Sequence, residues 1–560
     1  MTFRELCSAN PLTDPEQLEK LWQNRYLQFY CCKCFNDEKR REKLKQKRRE
    51  QERIEKELKK LNNQVEKIKK SMIPEDIEVL EFFEEETGMI IPFISEINQG
   101  SIGFTLDLGN RRLTGLALYY CGLTRLPDIL QKANTLKKLY LSCNKLTKIS
   151  KSIGLLNSLQ ELSINRNQLI QLPESIGNLT SLKILNLGRN RLKILPDSIG
   201  SLQSIKVLKL NQNKLIRLPK SIGSLSSLEK FQLNKNNLIH IPKTLINLTS
   251  LKYLDLSENQ IKTLPKEIGR LNSLQYLDLR NNQLIKLPKS IKNLKSIQYL
   301  DLERNKLVNL PESIGKLDSL QNLYLNFNRL TTLPKSIKNL KNLKFLDLTK
   351  NKMKILPESI GKLISLEKLN LEHNYLTHLP KSIGKLGSLK KLYLQRNQLG
   401  KYGESIPESI NGLTSLKVLD LRGNRYLSNL PKAVKSLSSL EYLNLECNQF
   451  TIFPEAIKFL HSLKVLNLNY NQLEEIPKWI SSLSFLEKLY LGCNNLQNVK
   501  AIASLKSLNE LNLWRNKLTN IPDELKTLPS IKKIWLNDNE INIFLDSLEE
   551  FKTKGISVFY

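Results

Sequence analysis

The sequence predicts an α/β fold built by repetition: a curved solenoid with a parallel sheet on its concave face, preceded by a helical, coiled-coil-like segment. Three observations carry this. From Leu113 onward the pattern LxxLxLxxNxL recurs, as in Leu136-Leu139-Leu141-Asn144-Leu146 and Leu182-Leu185-Leu187-Asn190-Leu192. Its Asn returns every 23 residues from Asn144 to Asn397, then at Asn424, Asn448, Asn471, Asn494, Asn516 and Asn539 at intervals of 22 to 27. A segment of the form LPxSIGxL follows each Asn. Counting a first copy, Leu113-Leu116-Leu118 with Cys121 in the Asn position, there are about 19 repeats in 560 residues. One such unit cannot bury its apolar side alone, so neighbours must stack.

Each part of the repeat has a physical reading. LxL alternates with period two, so it is a short strand whose leucines face inward. The Asn sits where the chain turns away, and its buried amide can pair backbone groups that the turn leaves open, giving a ladder of stacked copies. Pro stops the strand, and the Ile and Leu of SIGxL bring the chain back to the core on a short helical turn.

The flanking segments follow in order. Residues 1–35 read as a helical segment, with Asp14 as cap, Pro15 at the first position and Gln17 three after the cap. Cys7, Cys31, Cys32 and Cys34 lie here without a CxxC pair, and residues 1–100 contain no His. That leaves free thiols or a metal site as alternatives. Residues 36–72 form a charged helix in which Ile54, Leu58, Leu61, Val65, Ile68 and Met72 keep heptad spacing. Self-association through residues 44–72, or docking of this helix on the solenoid or on a partner, are the two uses open to it. Residues 73–110 hold an acidic helix stopped by Gly88, then a strand from Gly103 to Leu108 and a tight turn at Gly109-Asn110 that cap the array. The repeats fill 111–542. A C-terminal cap, 543–560, reads as a helix, Gly555 and a final strand.

Charge is unevenly placed. The formal net charge is +32, yet residues 1–100 carry 19 basic and 20 acidic side chains, so the excess lies in the repeats. The near-balance hides two opposed blocks, 36–70 with 15 bases and 8 acids and 75–87 with seven acids, which would pair within one chain or between copies. The opening MTFRELCSANP lacks a secretory apolar run, and no stretch of 18 apolar residues occurs, so the expected setting is cytoplasmic with no transmembrane segment.

The LPxSIGxLxxLxxLxLxxN repeats resemble the leucine-rich repeat family, whose solenoid is a horseshoe. They are similar in particular to its intracellular Ras-scaffold and plant Ras-group-related form, and to prokaryotic arrays of the same kind. The resemblance implies a non-enzymatic scaffold or adaptor in intracellular signalling, with a protein partner such as a small GTPase or signalling enzyme. A regulatory subunit for a separate enzyme is a further alternative.

Residues between the inward leucines would face outward in columns. Tyr253-Asp255, Tyr276-Asp278 and Tyr299-Asp301 come from three successive YLDL repeats, followed by Tyr324 and Phe345-Asp347, with Arg280 in the next column. Stacked aromatics beside fixed charges suit a binding hot spot, and the acids would favour a basic partner. The alternative is that recently duplicated repeats share these residues by descent. Tyr490, Trp514 and Trp535 form a late group that would either bind or cover the end of the core. Lysines fall mostly in LPKSI and LKSL, on the convex side, away from the aromatics. Nucleic acid or an anionic membrane is therefore the alternative partner rather than the expected one. No catalytic, metal or cofactor site is expected. The phosphate-loop pattern GxxxxGK[ST] is missing, because Gly315-Lys316, Gly361-Lys362 and Gly384-Lys385 each run into Leu, and the four His are scattered.

Overall fold

The computed structural model describes residues 38–521, 523–541 and 550–560. The expected helix start at Asp14, the four cysteines at Cys7, Cys31, Cys32 and Cys34, the Leu58 side chain and residues 543–549 lie outside the described set. The chain forms two compact units, Met1–Asn259 and Gln260–Tyr560.

In the first unit, helix α1 (Glu38–Lys69) and helix α2 (Pro74–Thr87) precede strands β1 (Ile102–Leu106) and β2 (Leu113–Leu118). β1 is antiparallel to β2, with Phe104 opposite Leu116, as the strand and tight turn at Gly109-Asn110 predict. Asp107 Oδ1 closes that turn by accepting from Gly109 N at 2.9 Å. From β2 the strands run parallel and in register to β8 (Tyr253–Asp255). In the second unit, parallel strands run from β9 (Tyr276–Asp278) to β20 (Lys533–Trp535), and β21 (Ser557–Phe559) adds to the last. Seven repeat strands in the first unit and twelve in the second match the nineteen that the motif count predicts. The fold class is that of the sequence reading.

The inward leucines are fully buried, for example Leu300, Leu302, Leu323 and Leu325 at 0 % exposure. Each LPxSIG segment forms a 3-10 turn entered through an extended proline, as at Pro311 (φ −70°, ψ 149°) before Glu312–Lys316. The glycine of SIG matters through contact. A Cβ on Gly315 would lie 2.2 Å from the Ser336 carbonyl oxygen of the next repeat, and one on Gly361 would lie 2.3 Å from that of Ser382. Adjacent turns approach as closely as a missing side chain allows.

The Asn ladder joins neighbouring repeats. Asn328 Oδ1 accepts from Leu307 N of the preceding repeat at 3.0 Å. Its Nδ2 donates back to Leu302 O at 2.8 Å and to Leu325 O of its own repeat at 3.0 Å. Asn167 and Asn190 in the first unit repeat this pattern. Asn448 departs from it, because Leu427 N bonds to Asn424 O at 2.8 Å and leaves the buried Asn448 Oδ1 without a partner. The cause is one extra residue between Asn424 and Asn448, an interval of 24.

The opposed charge blocks pair only in part with each other. Lys69, nearly buried, meets Glu84 at 2.6 Å. Three other acids of α2 reach the first repeats instead. Asp76, at 0 % exposure, accepts from Leu113 N at 2.7 Å and Arg112 Nε at 3.0 Å, while Glu78 pairs with Lys132 and Glu86 with Arg125. Acidic α2 is thus the charged lid of the array's first edge. Val65 and Met72 of the heptad stripe are buried within the chain, and Leu61 and Ile68 are half-buried.

Asn328→Ala strips partners from one buried N–H and two carbonyls, a loss of about 3 kcal/mol, whereas Asn448→Ala removes an already unpaired acceptor and should cost roughly half as much. Hydrogen exchange of the flanking amides reads both; equal losses would remove the ladder as the source of inter-repeat stability.

Candidate partner-binding surface

The outward positions of each repeat are the first and third strand residues and the residue two beyond. At the third position the structure places a second ladder that the sequence reading missed. Asp278, Asp301 and Asp347 turn Oδ1 onto the backbone N–H two residues ahead, at 3.0, 2.9 and 2.9 Å. Asp255 does the same for Ser257 N in the first unit, at 3.0 Å. Asn370, Asn444 and Asn467 perform this task in other repeats. This Asx turn satisfies an N–H that the departing chain would otherwise leave unpaired. The signal was legible as Asp and Asn alternating at one position, since only those side chains share that acceptor. Asp255, Asp278 and Asp301 are accordingly buried, at 6, 1 and 3 % exposure. Their second oxygens are engaged too: Asp278 Oδ2 meets Arg280 Nε at 3.2 Å, and Asp301 Oδ2 accepts from the Tyr299 hydroxyl at 3.1 Å. Burial raises the Asp301 carboxyl and, more strongly, the Tyr299 hydroxyl above their ordinary ranges, so the tyrosine stays a donor.

In the second unit the aromatics stack. Tyr276 and Tyr299 lie parallel, 4.3 Å between centroids and 9° between planes. Tyr324 occupies the third position, where its neighbours carry Asp, yet its ring reaches Tyr299 at 5.2 Å and Phe345 at 4.8 Å. Lys368 Nζ closes the column, 4.8 Å from the Phe345 ring and 5.4 Å from that of Tyr393. The expectation that bases and aromatics occupy different faces therefore fails here, because Lys368 and Lys391 are themselves outward strand residues. A further aromatic, Phe327, sits between Arg304 (4.7 Å) and Lys350 (4.6 Å). All three stand just before a ladder Asn, a position held at φ of 51–55° in these three repeats. Tyr253 belongs to the first unit, where Lys230 Nζ lies 4.7 Å from its ring.

The late aromatics have separate neighbours. The Tyr490 hydroxyl donates to Glu510 at 2.8 Å. Trp514 meets Tyr470 edge to face at 5.8 Å and lies over Gly492, where a Cβ would come within 2.1 Å of the indole. Trp535 stacks on Phe559 of the last strand at 5.2 Å and 10°. Trp535 thus covers the end of the sheet, and the three do not form one patch.

The first unit's sheet face is already partly occupied. Ile94 and Ile97 pack on Ala117 and Tyr140, and Gln99 Oε1 accepts from Asn186 Nδ2 at 3.1 Å. The residues beneath are small: a Cβ on Gly115 would lie 2.6 Å from Ile97 Cδ1. Stretch 94–99 of the chain thus crosses the face of the first four repeats. Small outward residues at Gly115, Ala117 and Ser163 were the overlooked sign of a covered surface.

His373 lies 3.4 Å from Glu372 and 3.3 Å from Arg396, and burial lowers its pKa. Among the described residues no group of three His, Cys, Asp or Glu is placed to hold a metal ion. No described helix is long and apolar enough to cross a membrane.

The family model described as a leucine-rich repeat region matches residues 126–242, 232–329, 334–429 and 401–553. A leucine-rich repeat protein of Leptospira interrogans is 33% identical, with 80% of this chain and 95% of that one covered and a TM-score of 0.50. The plant peptide hormone receptor RGFR1 in complex with RGF2 is 26% identical, with 87% of each chain covered and a TM-score of 0.57. YopM from Yersinia enterocolitica is 25% identical over 77% of this chain and 88% of its own, with a TM-score of 0.55. No curated protein sequence matches the chain.

One carboxylate of the second ladder titrates in an accessible range. Burial pushes Asp420 up to about 6. Its folded pKa exceeds the unfolded value of about 3.9, so the native state binds the proton more tightly and stability falls as pH rises from about 4 to 6. Asp420→Asn keeps an Oδ1 acceptor for Arg422 N and should abolish this fall, which urea unfolding across that range would register. A variant profile parallel to wild type would refute it.

Proposed function

The chain belongs to the leucine-rich repeat family, whose fold commonly mediates protein–protein interaction, and on that premise we propose that it is a scaffold holding a partner protein on the sheet face of its second unit. The observation that carries this is the half-buried aromatic column from Tyr276 to Phe345, which offers rigid side chains of low residual entropy on a face left accessible among the described residues. The contrast with the first unit supports it, since there the chain's own residues 94–99 lie over the sheet. A solved receptor of similar fold is in complex with RGF2, which supports partner binding as a use of such an array.

The resemblance of the repeats to the Ras-scaffold form makes a small GTPase or signalling enzyme the partner class of this reading. The burial of Ile54, Val65 and Met72 of the heptad stripe within the chain favours docking of this helix on its own chain over pairing with a second copy.

Affinity capture followed by purification of the recovered protein allows direct titration. Tyr276→Ala/Tyr324→Ala should weaken the dissociation constant by about 2 kcal/mol or more, with the fold verified by circular dichroism. Affinity unchanged within error would exclude this face as the binding site.

A further inference from the structure

On the second unit's sheet face, acids and bases differ in how they are used. At the outward positions of repeats β9 to β15 (Val418–Asp420), and the residue before each ladder Asn, five bases are exposed: Arg304, Lys350, Lys391, Arg396 and Arg422. No acid at these positions is. Asp278, Asp301 and Asp420 are buried, while Glu303, Asp347 and Glu372 are half-buried. The buried aspartates serve as acceptors for backbone N–H groups of their own strands, at 3.0, 2.9 and 3.0 Å. The charge of these aspartates is compensated inside the protein, and Arg304 and Arg422 pair with Glu303 at 3.2 Å and Glu446 at 3.3 Å, so what meets an approaching molecule is chiefly Lys350, Lys391 and Arg396.

The aromatics point the same way. Stacking Tyr276 on Tyr299 turns the electron-rich ring faces toward each other and leaves the hydrogen-bearing edges, which carry partial positive charge, toward solvent. The ring faces elsewhere are covered by the protein's own cations, Phe345 by Lys368 and Phe327 by Arg304 and Lys350. A basic partner would find only half-buried carboxylates, and ring faces partly covered by the protein's own cations. A single-stranded nucleic acid would find little open ring face on which to stack a base. Carboxylates would meet exposed bases and ring edges together.

We propose that the partner element taken by this face is an extended acidic peptide segment, the reverse of the basic partner that the aspartates suggest in sequence. This rests on the binding-face reading above and adds the partner's chemistry. The test uses the full chain and a fluorescent short peptide of alternating Glu and Ser, with Gln-for-Glu and Lys-for-Glu versions and an oligo-dT strand as comparisons. Anisotropy is followed at about 150 mM salt, where long-range charge effects are screened. The Glu peptide should bind, and Lys391→Glu/Arg396→Glu should weaken it about tenfold or more, while Lys289→Glu/Lys338→Glu on the 3-10 turns, an equal change of net charge, should alter it less than about twofold. Equal weakening by both pairs, preference for the Lys peptide, no Glu-peptide binding, or displacement of the Glu peptide by oligo-dT would each overturn the proposal. Should it fall while the purified natural partner is still lost with Tyr276→Ala/Tyr324→Ala, the binding face stands and only its charge preference is wrong.

Discussion

A parallel sheet made of three-residue strands leaves backbone polar groups to be paired every time the chain enters or leaves it, and that requirement governs this molecule. The ladder Asn meets it with one side chain that accepts from the preceding repeat and donates both to that repeat and to its own, as Asn328 does. The Asx turn at the third strand position supplies an acceptor for the N–H two residues on, as for Glu303 N and Thr349 N. The glycine of SIG lets the returning turns close up behind the sheet. With those conditions met, nearly any residue is tolerated on the outward face, which is why binding chemistry can be written there without disturbing the fold.

The same requirement reshapes the electrostatics. Glu312 caps the next repeat's 3-10 turn, accepting from Lys335 N at 3.1 Å and Ser336 N at 2.9 Å, and the Ser336 N–H holds its carboxyl below the usual carboxylate range. Glu358 repeats this on Lys381 and Ser382. Aspartates on the strands and glutamates on the turns are thus spent on backbone N–H groups. Lysine and arginine cannot accept a hydrogen bond, so most stay at the surface, where several meet carboxylates, as Lys252 meets Glu229 at 2.8 Å.

The fold was legible because periodicity survives translation into structure: Leu, Asn and Pro recur at the spacing at which they are used. The site was legible only as positions. Tyr276, Tyr299 and Phe345 emerge from the pattern as a column, whereas Asp278 and Asp301 read as surface charges unless the Asn that other repeats carry at the same position is set beside them. Trp514 and Trp535 read as a pair, whereas Gly492 and Phe559 give each its own resting place. The occupied face of the first repeats was hidden for a similar reason. Ile94 and Ile97 lie outside the repeat, and their contact with Ala117 and Tyr140 depends on a crossing that no spacing encodes.

The interlocking of each ladder Asn with the repeat before it also bears on how such a gene can change length. A recombination event that adds or removes one full period returns every amide to a matching pair of backbone groups, so the product folds as its parent did. One that inserts a single residue just after a ladder Asn, as between Asn424 and Leu427, creates a junction of the kind seen at Asn448 with an acceptor left empty, whereas the 22-residue step to Asn516 keeps its bonds. The uniform spacing from Asn144 to Asn397 is the spacing that whole-unit duplication preserves.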